Sequence, residues 1–165
     1  MHHWLQCVYA GDIAGGMGSS RPALALRLLE DQPALAQQIA ADPWLACAVG
    51  DLGVLRAATA QDPGWVHRPG GPLVLPPLVA VTHSSLLRLP EWHERLHACA
   101  RLLLDAGADV NQATGSRWPQ ASPAAPAADA PLSALYGAAG RNHDAVLAQL
   151  LLDAGANPND GESLY

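Results

Sequence analysis

The chain contains no lysine and no phenylalanine. All nine basic residues are arginine, set against fifteen Asp and Glu, which leaves a formal charge of −6. That balance argues against a nucleic-acid backbone or an anionic membrane surface as partner. Cysteine is sparse: Cys7, Cys47 and Cys99 are an odd, scattered set without CxxC spacing, so neither a disulfide framework nor a zinc knuckle follows. Cys47 in Leu45-Ala46-Cys47-Ala48-Val49 and Cys99 in His97-Ala98-Cys99-Ala100 read as small buried hydrophobes. A reducing, cytoplasmic setting is expected. Long apolar runs are missing too. The longest, Pro72 to Val81, carries three prolines and is about half the length a membrane helix requires. Residues 1–16 lack a basic start and a long apolar core and contain Asp12, so they do not read as a secretory signal.

What is present is alanine and leucine. Half of the 165 residues are apolar while only 5% are aromatic, a composition for one folded domain of helices packed closely through small side chains. An all-α fold is expected. Its most informative feature is a duplication. Leu102-Leu103-Leu104-Asp105-Ala106-Gly107-Ala108-Asp109-Val110-Asn111 returns, with two changes, as Leu150-Leu151-Leu152-Asp153-Ala154-Gly155-Ala156-Asn157-Pro158-Asn159. Each copy describes a buried helix stopped by a left-handed glycine and followed by an Asx turn. Gly107 and Gly155 would take the left-handed conformation. Leu103 and Leu151 belong in the core. Pro77-Leu78-Val79-Ala80 precedes the first copy and Pro131-Leu132-Ser133-Ala134 the second; proline at the first helical position predicts a helix start at each.

Pro-Leu-x-Ala, a helix, a Gly turn and then Leu-Leu-x-x-Gly-Ala-Asp-x-Asn resembles the ankyrin repeat, whose unit spans about 33 residues. The resemblance implies a solenoid of antiparallel helix pairs with long finger loops, with Asn111 and Asn159 locking the turns. The leucine runs begin at 102 and 150, so the period is 48, and about fifteen residues have been inserted. Most of the excess falls in Gln112 to Asp129, whose Ser122-Pro123-Ala124-Ala125-Pro126 core reads as an extended finger without regular structure. A smaller excess lies across Ser84 to Pro90, and Pro90-Glu91 opens the next helix.

Upstream, Asp42-Pro43-Trp44 starts a helix that ends at Gly50, Leu52 to Ala60 is its partner, and Asp62-Pro63-Gly64 closes the unit. Pro22 to Glu30 is an amphipathic helix with Leu24 and Leu28 inward. The expected organisation is a poorly determined segment 1–20, then a repeat domain 21–165 with units near 21–41, 42–71, 72–112 and 130–160. Residues 161–165 read as the start of an incomplete unit, and the stack as unfinished. The alanine, arginine, proline and glycine bias fits a GC-rich bacterial genome.

Two motifs raise the question of catalysis. His93-Glu94-Arg95-Leu96-His97 matches H-E-x-x-H, in which two histidines one turn apart bind zinc and the glutamate polarises a water. Here Arg95 stands where an uncharged residue is wanted, and no third ligand follows. A zinc-dependent hydrolase built on His93 and His97 is therefore the alternative; a half-buried helix edge is the expectation. Gly11 to Ser20 is glycine-rich like a phosphate loop but lacks its lysine, so it reads as a flexible linker. No catalytic residues and no cofactor are expected.

The ankyrin resemblance implies a non-catalytic scaffold for protein-protein interaction, using finger tips and the concave face. Trp65, His67 and Arg68 in one finger, and Gln112, Arg117 and Trp118 in the next, are the candidate partner-binding residues, since Trp and Arg most often carry binding energy. A purely structural segment of a larger multidomain protein is the remaining alternative.

Overall fold

The computed structural model describes residues 1–117 and 127–160. Helices dominate these residues, and most helix starts carry a local cause. α1 (His2–Val8) and α2 (Gly11–Ala14) are short. α3 (Pro22–Asp31), α4 (Pro33–Ala40), α5 (Pro43–Val49) and α7 (Pro77–Thr82) each place proline in the first turn, where its missing N–H costs nothing. Asp42 caps α5, its Oδ1 accepting the amides of Trp44 and Leu45 at 2.9 and 3.2 Å. Asp51 caps α6 (Leu52–Gln61) through the Val54 amide at 3.1 Å. Each such cap contributes about 1 kcal/mol. Between α5 and α6 the chain reverses through Gly50 at φ 64°.

The two copies of the decapeptide fold alike. They end α8 (His93–Asp105) and α10 (Ala145–Asp153). In the first, the amides of Gly107 and Ala108 return to the carbonyls of Leu104 and Leu103, both at 2.9 Å. In the second, Gly155 and Ala156 return to Leu152 and Leu151, again at 2.9 Å. Gly107 and Gly155 lie at φ 91° and 96°, a region that a Cβ would penalise by about 1 kcal/mol. Leu103 and Leu151 are fully buried.

α5 packs on α4, α6, α7 and α8; α7 packs on α8 and on α9 (Ala134–Tyr136); and α6 packs on α8. One continuous apolar core runs through these helices, and α1 and α2 are part of it. Trp4, Leu5, Cys7, Val8, Tyr9 and Ile13 are buried. All three cysteines are free and buried; burial pushes Cys99 up to about 12 and raises Cys47, so both are held as inert thiols. Among the described residues no helix is long and apolar enough to cross a membrane.

Three sequence-based expectations change here. Residues 11–14, read as part of a flexible linker, form α2 and are buried, because Ile13 and Ala14 join the core. The 122–126 core of the inserted segment lies outside the described residues, but its two flanks are regular: β1 (Ala113–Ser116) pairs antiparallel with β2 (Ala127–Ser133), Ala113 opposite Ser133 and Gly115 opposite Pro131. Pro131 therefore lies in a strand, where proline survives at an edge, and not at a helix start. The helix begins at Ala134, capped by Ser133 Oγ accepting the Tyr136 amide at 2.9 Å, and continues as a π-turn over Gly137–Arg141.

Candidate functional site

The first finger runs from Asp62 to Leu75. It opens as a 3-10 turn over Pro63–His67 and closes as a tight hairpin in which Gly70 and Leu75 exchange two backbone hydrogen bonds at 3.0 Å. Trp65 is not at its tip. That ring is buried, donates from Nε1 to Thr59 Oγ1 at 2.9 Å, and meets Trp44 edge to face with centroids 5.8 Å apart. Trp44 Nε1 in turn donates to the Arg68 carbonyl at 2.9 Å, and its ring fills the space that a Cβ on Gly70 would need, at 2.3 Å. Two tryptophans thus fix the finger to α5 and α6.

Besides Asp62 and Pro63 at its base, this leaves outside His67, Arg68, Pro69, Pro72 and Val74. Arg68 pairs with Asp62, and that hydrogen bond is the main reason the Asp62 carboxyl is held below its usual range. Val74 is 54% exposed at φ 50°. A β-branched residue held in the left-handed region is strained by about 1–3 kcal/mol. Sequence reasoning missed it, although Gly70-Gly71-Pro72 marks the hairpin that forces it.

The second group of candidates divides. Gln112 is half-buried and works as a clamp: its Oε1 accepts the Leu78 amide at 3.0 Å, its Nε2 donates to the Val66 carbonyl at 2.6 Å, and its carbonyl accepts the Ala134 amide at 2.9 Å. It joins the first finger, the start of α7 and the start of α9. Arg117 is 1% exposed. Its Nη1 and Nη2 donate to the carbonyls of Ile13 and Leu73 at 3.1 and 2.7 Å, and its own amide donates to the Asp12 carbonyl at 2.8 Å. A guanidinium committed to the interior offers nothing to a partner, so Trp65 and Arg117 are removed from the exposed recognition surface. Trp118 lies outside the described residues.

His93 and His97 stack, with ring centroids 5.7 Å apart. His97 is buried, and its Nε2 donates to Asp144 Oδ2 at 2.6 Å, while Asp144 Oδ1 caps α10 through the Leu147 amide at 2.9 Å. Glu94 points away and pairs with Arg101 at 3.0 Å. Among the described residues no group of three His, Cys, Asp or Glu is placed to hold a metal ion. The histidine that the motif would use as a ligand is a bridge between α8 and α10.

The duplicated turns touch. Asp109 Oδ1 accepts the Asn111 amide at 2.9 Å, Asn157 Oδ1 accepts the Asn159 amide at 3.0 Å, and Asn111 Oδ1 accepts the Asn157 amide at 2.8 Å, so the turns are locked by Asp109 and Asn157, and not by Asn111 and Asn159 as expected. Comparisons with protein-family models, with curated proteins and with solved structures find no match.

Proposed function

We propose that the chain is a divergent ankyrin-type repeat scaffold, a stack of antiparallel helix pairs, that recognises another protein without catalysing a reaction. The observation that carries this reading is the joint between the two copies. The same helix, glycine stop and Asx turn occur twice, and the first turn's Asn111 receives the backbone of the second at Asn157. That is how nearest-neighbour units of a solenoid are coupled. The packing of α5 on α7 and α7 on α9, with α6 on α8, supports it as well.

The recognition surface in this reading is the first finger's tip. His67, Arg68 and Val74 are exposed on a hairpin anchored by buried Trp65, so a partner meets a pre-formed edge and little ordering entropy is lost on binding. The test is affinity capture with the whole chain and with a His67→Ala, Arg68→Ala double variant. The variant should keep its melting temperature, since an exposed pair such as Arg68–Asp62 contributes little, and should lose at least tenfold of the captured partner. Equal capture by both proteins would remove the finger from the reading.

A further inference from the structure

A cavity of about 630 Å³ shares no lining residue with the first finger, and its size is that of small-molecule sites. One wall is the glycine-rich segment from Gly16 to Ser20, and the others come from Arg88, from Ser116 and Leu132 of the two strands, and from Tyr136 and Arg141 of the π-turn. The glycine-rich wall is built, not slack. The Gly11 amide donates to the Gly18 carbonyl at 3.0 Å, and a Cβ on Gly11 would lie 2.1 Å from the Gly16 carbonyl oxygen, so the loop is folded back against α2 as closely as glycine permits. π-Turns of the kind found at Gly137–Arg141 cluster at functional sites.

The charge around this cavity is opposite to that of the molecule. Arg88 and Arg141 line it, Arg117 sits behind Asp12, and Asp12 is the one acid on its described wall. Arg141 is paired with Asp12 and lies over the Tyr136 ring, 5.5 Å from its centroid. Arg88 is different. Its Nη2 donates to the Arg141 carbonyl at 3.2 Å, and it has no carboxylate partner among the described residues. A chain of formal charge −6 thus keeps an unneutralised guanidinium facing a recess. Ser20, nine-tenths buried on the same wall, has an Oγ without a hydrogen-bond partner, and so does the Nε of Arg141. The Oδ1 of Asp12 is unpartnered too, so what this wall has in surplus is positive charge, two guanidiniums against one carboxylate.

We propose that this cavity binds the oxyanion group, phosphate or carboxylate, of a small molecule, with Arg88 taking up its charge and the Ser20 hydroxyl completing its hydrogen bonds. A guanidinium presents paired N–H donors whose spacing matches both groups. A phosphate loop would use a lysine from the following helix; here the cations arrive from Arg88 and Arg141, far along the chain.

The experiment is calorimetric titration of the full chain with inorganic phosphate and, separately, with succinate, each against sodium chloride of equal ionic strength. A saturable response in either arm that Arg88→Gln weakens at least tenfold is the expected result, and the arm that responds identifies the group. Arg88 is exposed, so the variant should keep its circular-dichroism spectrum and melting temperature. Arg56→Gln, an exposed arginine on α6 outside the cavity, should bind as the parent does. No response beyond chloride in either arm, or equal binding by Arg88→Gln, overturns the proposal. Neither result touches the finger, whose capture experiment stands apart.

Discussion

His83 ends α7 with its ring enclosed between that helix and the π-turn. Its Nε2 lies 2.9 Å from the Ser133 carbonyl, which can only accept, so Nε2 carries the proton and the neutral ring donates it. Gly137 makes the room: a Cβ there would lie 2.4 Å from the ring's Cδ2. Burial lowers the His83 pKa from 6.5 to about 4, with Arg141 and Arg117 adding to the fall against the opposing pull of the Ser133 carbonyl and Asp12. The unfolded chain therefore binds a proton that the folded one refuses. Stability from this residue is complete above pH 6.5 and drains away as pH falls towards 4, by about 3 kcal/mol in all. Urea unfolding at pH 7 and pH 4.5 should show a loss in the parent that is clearly smaller in His83→Gln, whose amide can still donate to Ser133. Parallel losses in both proteins would mean that carboxylates carry the whole pH dependence.

At the scale of elements, the two Asx turns provide their own control. Asn111 Oδ1 holds the Asn157 amide, whereas Asn159 Oδ1 has no partner among the described residues. Asn111→Ala should cost about 1 kcal/mol and Asn159→Ala no more than about 0.5 kcal/mol, measured as midpoints of urea unfolding. Equal costs would show that the joint between the copies adds nothing. Caps and glycine stops were readable in advance because their causes are local, whereas the choice between the two Asx residues of each turn was not. Asp42-Pro43, Pro77 and the glycine stops at 50, 107 and 155 stand where the sequence places them. Pro131 misled because the same Pro-Leu-x-Ala signal fits an edge strand when β1 is there to pair with it, and that pairing spans a long insertion. Arg117 and Gln112 misled for a related reason. A polar residue in a loop reads as exposed until the carbonyls of Ile13, Leu73 and Val66 are brought to it, and no local pattern announces that. The cavity was illegible for the same cause: its glycine wall was visible as Gly11 to Ser20, but Arg88 and Arg141 reach it only through the fold.

Across the whole molecule, the chain closes on its own beginning. Tyr9 Oη donates to the Ala80 carbonyl at 2.8 Å, Ser85 Oγ to the Cys7 carbonyl at 3.3 Å, and Arg117 to Ile13. Burial raises the Tyr9 pKa well above its ordinary value, as expected for a phenol sealed under this closure. An open array of repeats has contacts only between neighbours and can unzip from an end. These ties run past neighbours, so the described elements should unfold together. Arg117→Ala strips the donors from two buried carbonyls, and a cost of about 2–4 kcal/mol is expected. Hydrogen exchange should show α1 and α2 opening with the rest in the parent and ahead of it in the variant. If they already open first in the parent, the closure does not couple them.

The ties to Arg117 also set an order of events during synthesis. Residues 1–20 leave the ribosome nearly a hundred residues before Arg117, which at about 5–20 residues per second is a delay on the order of ten seconds. Throughout that interval Trp4, Leu5, Val8 and Ile13, all buried in the finished protein, have no completed core to enter. Residues 1–20 are therefore made well before they are secured, and they are the stretch a chaperone would meet.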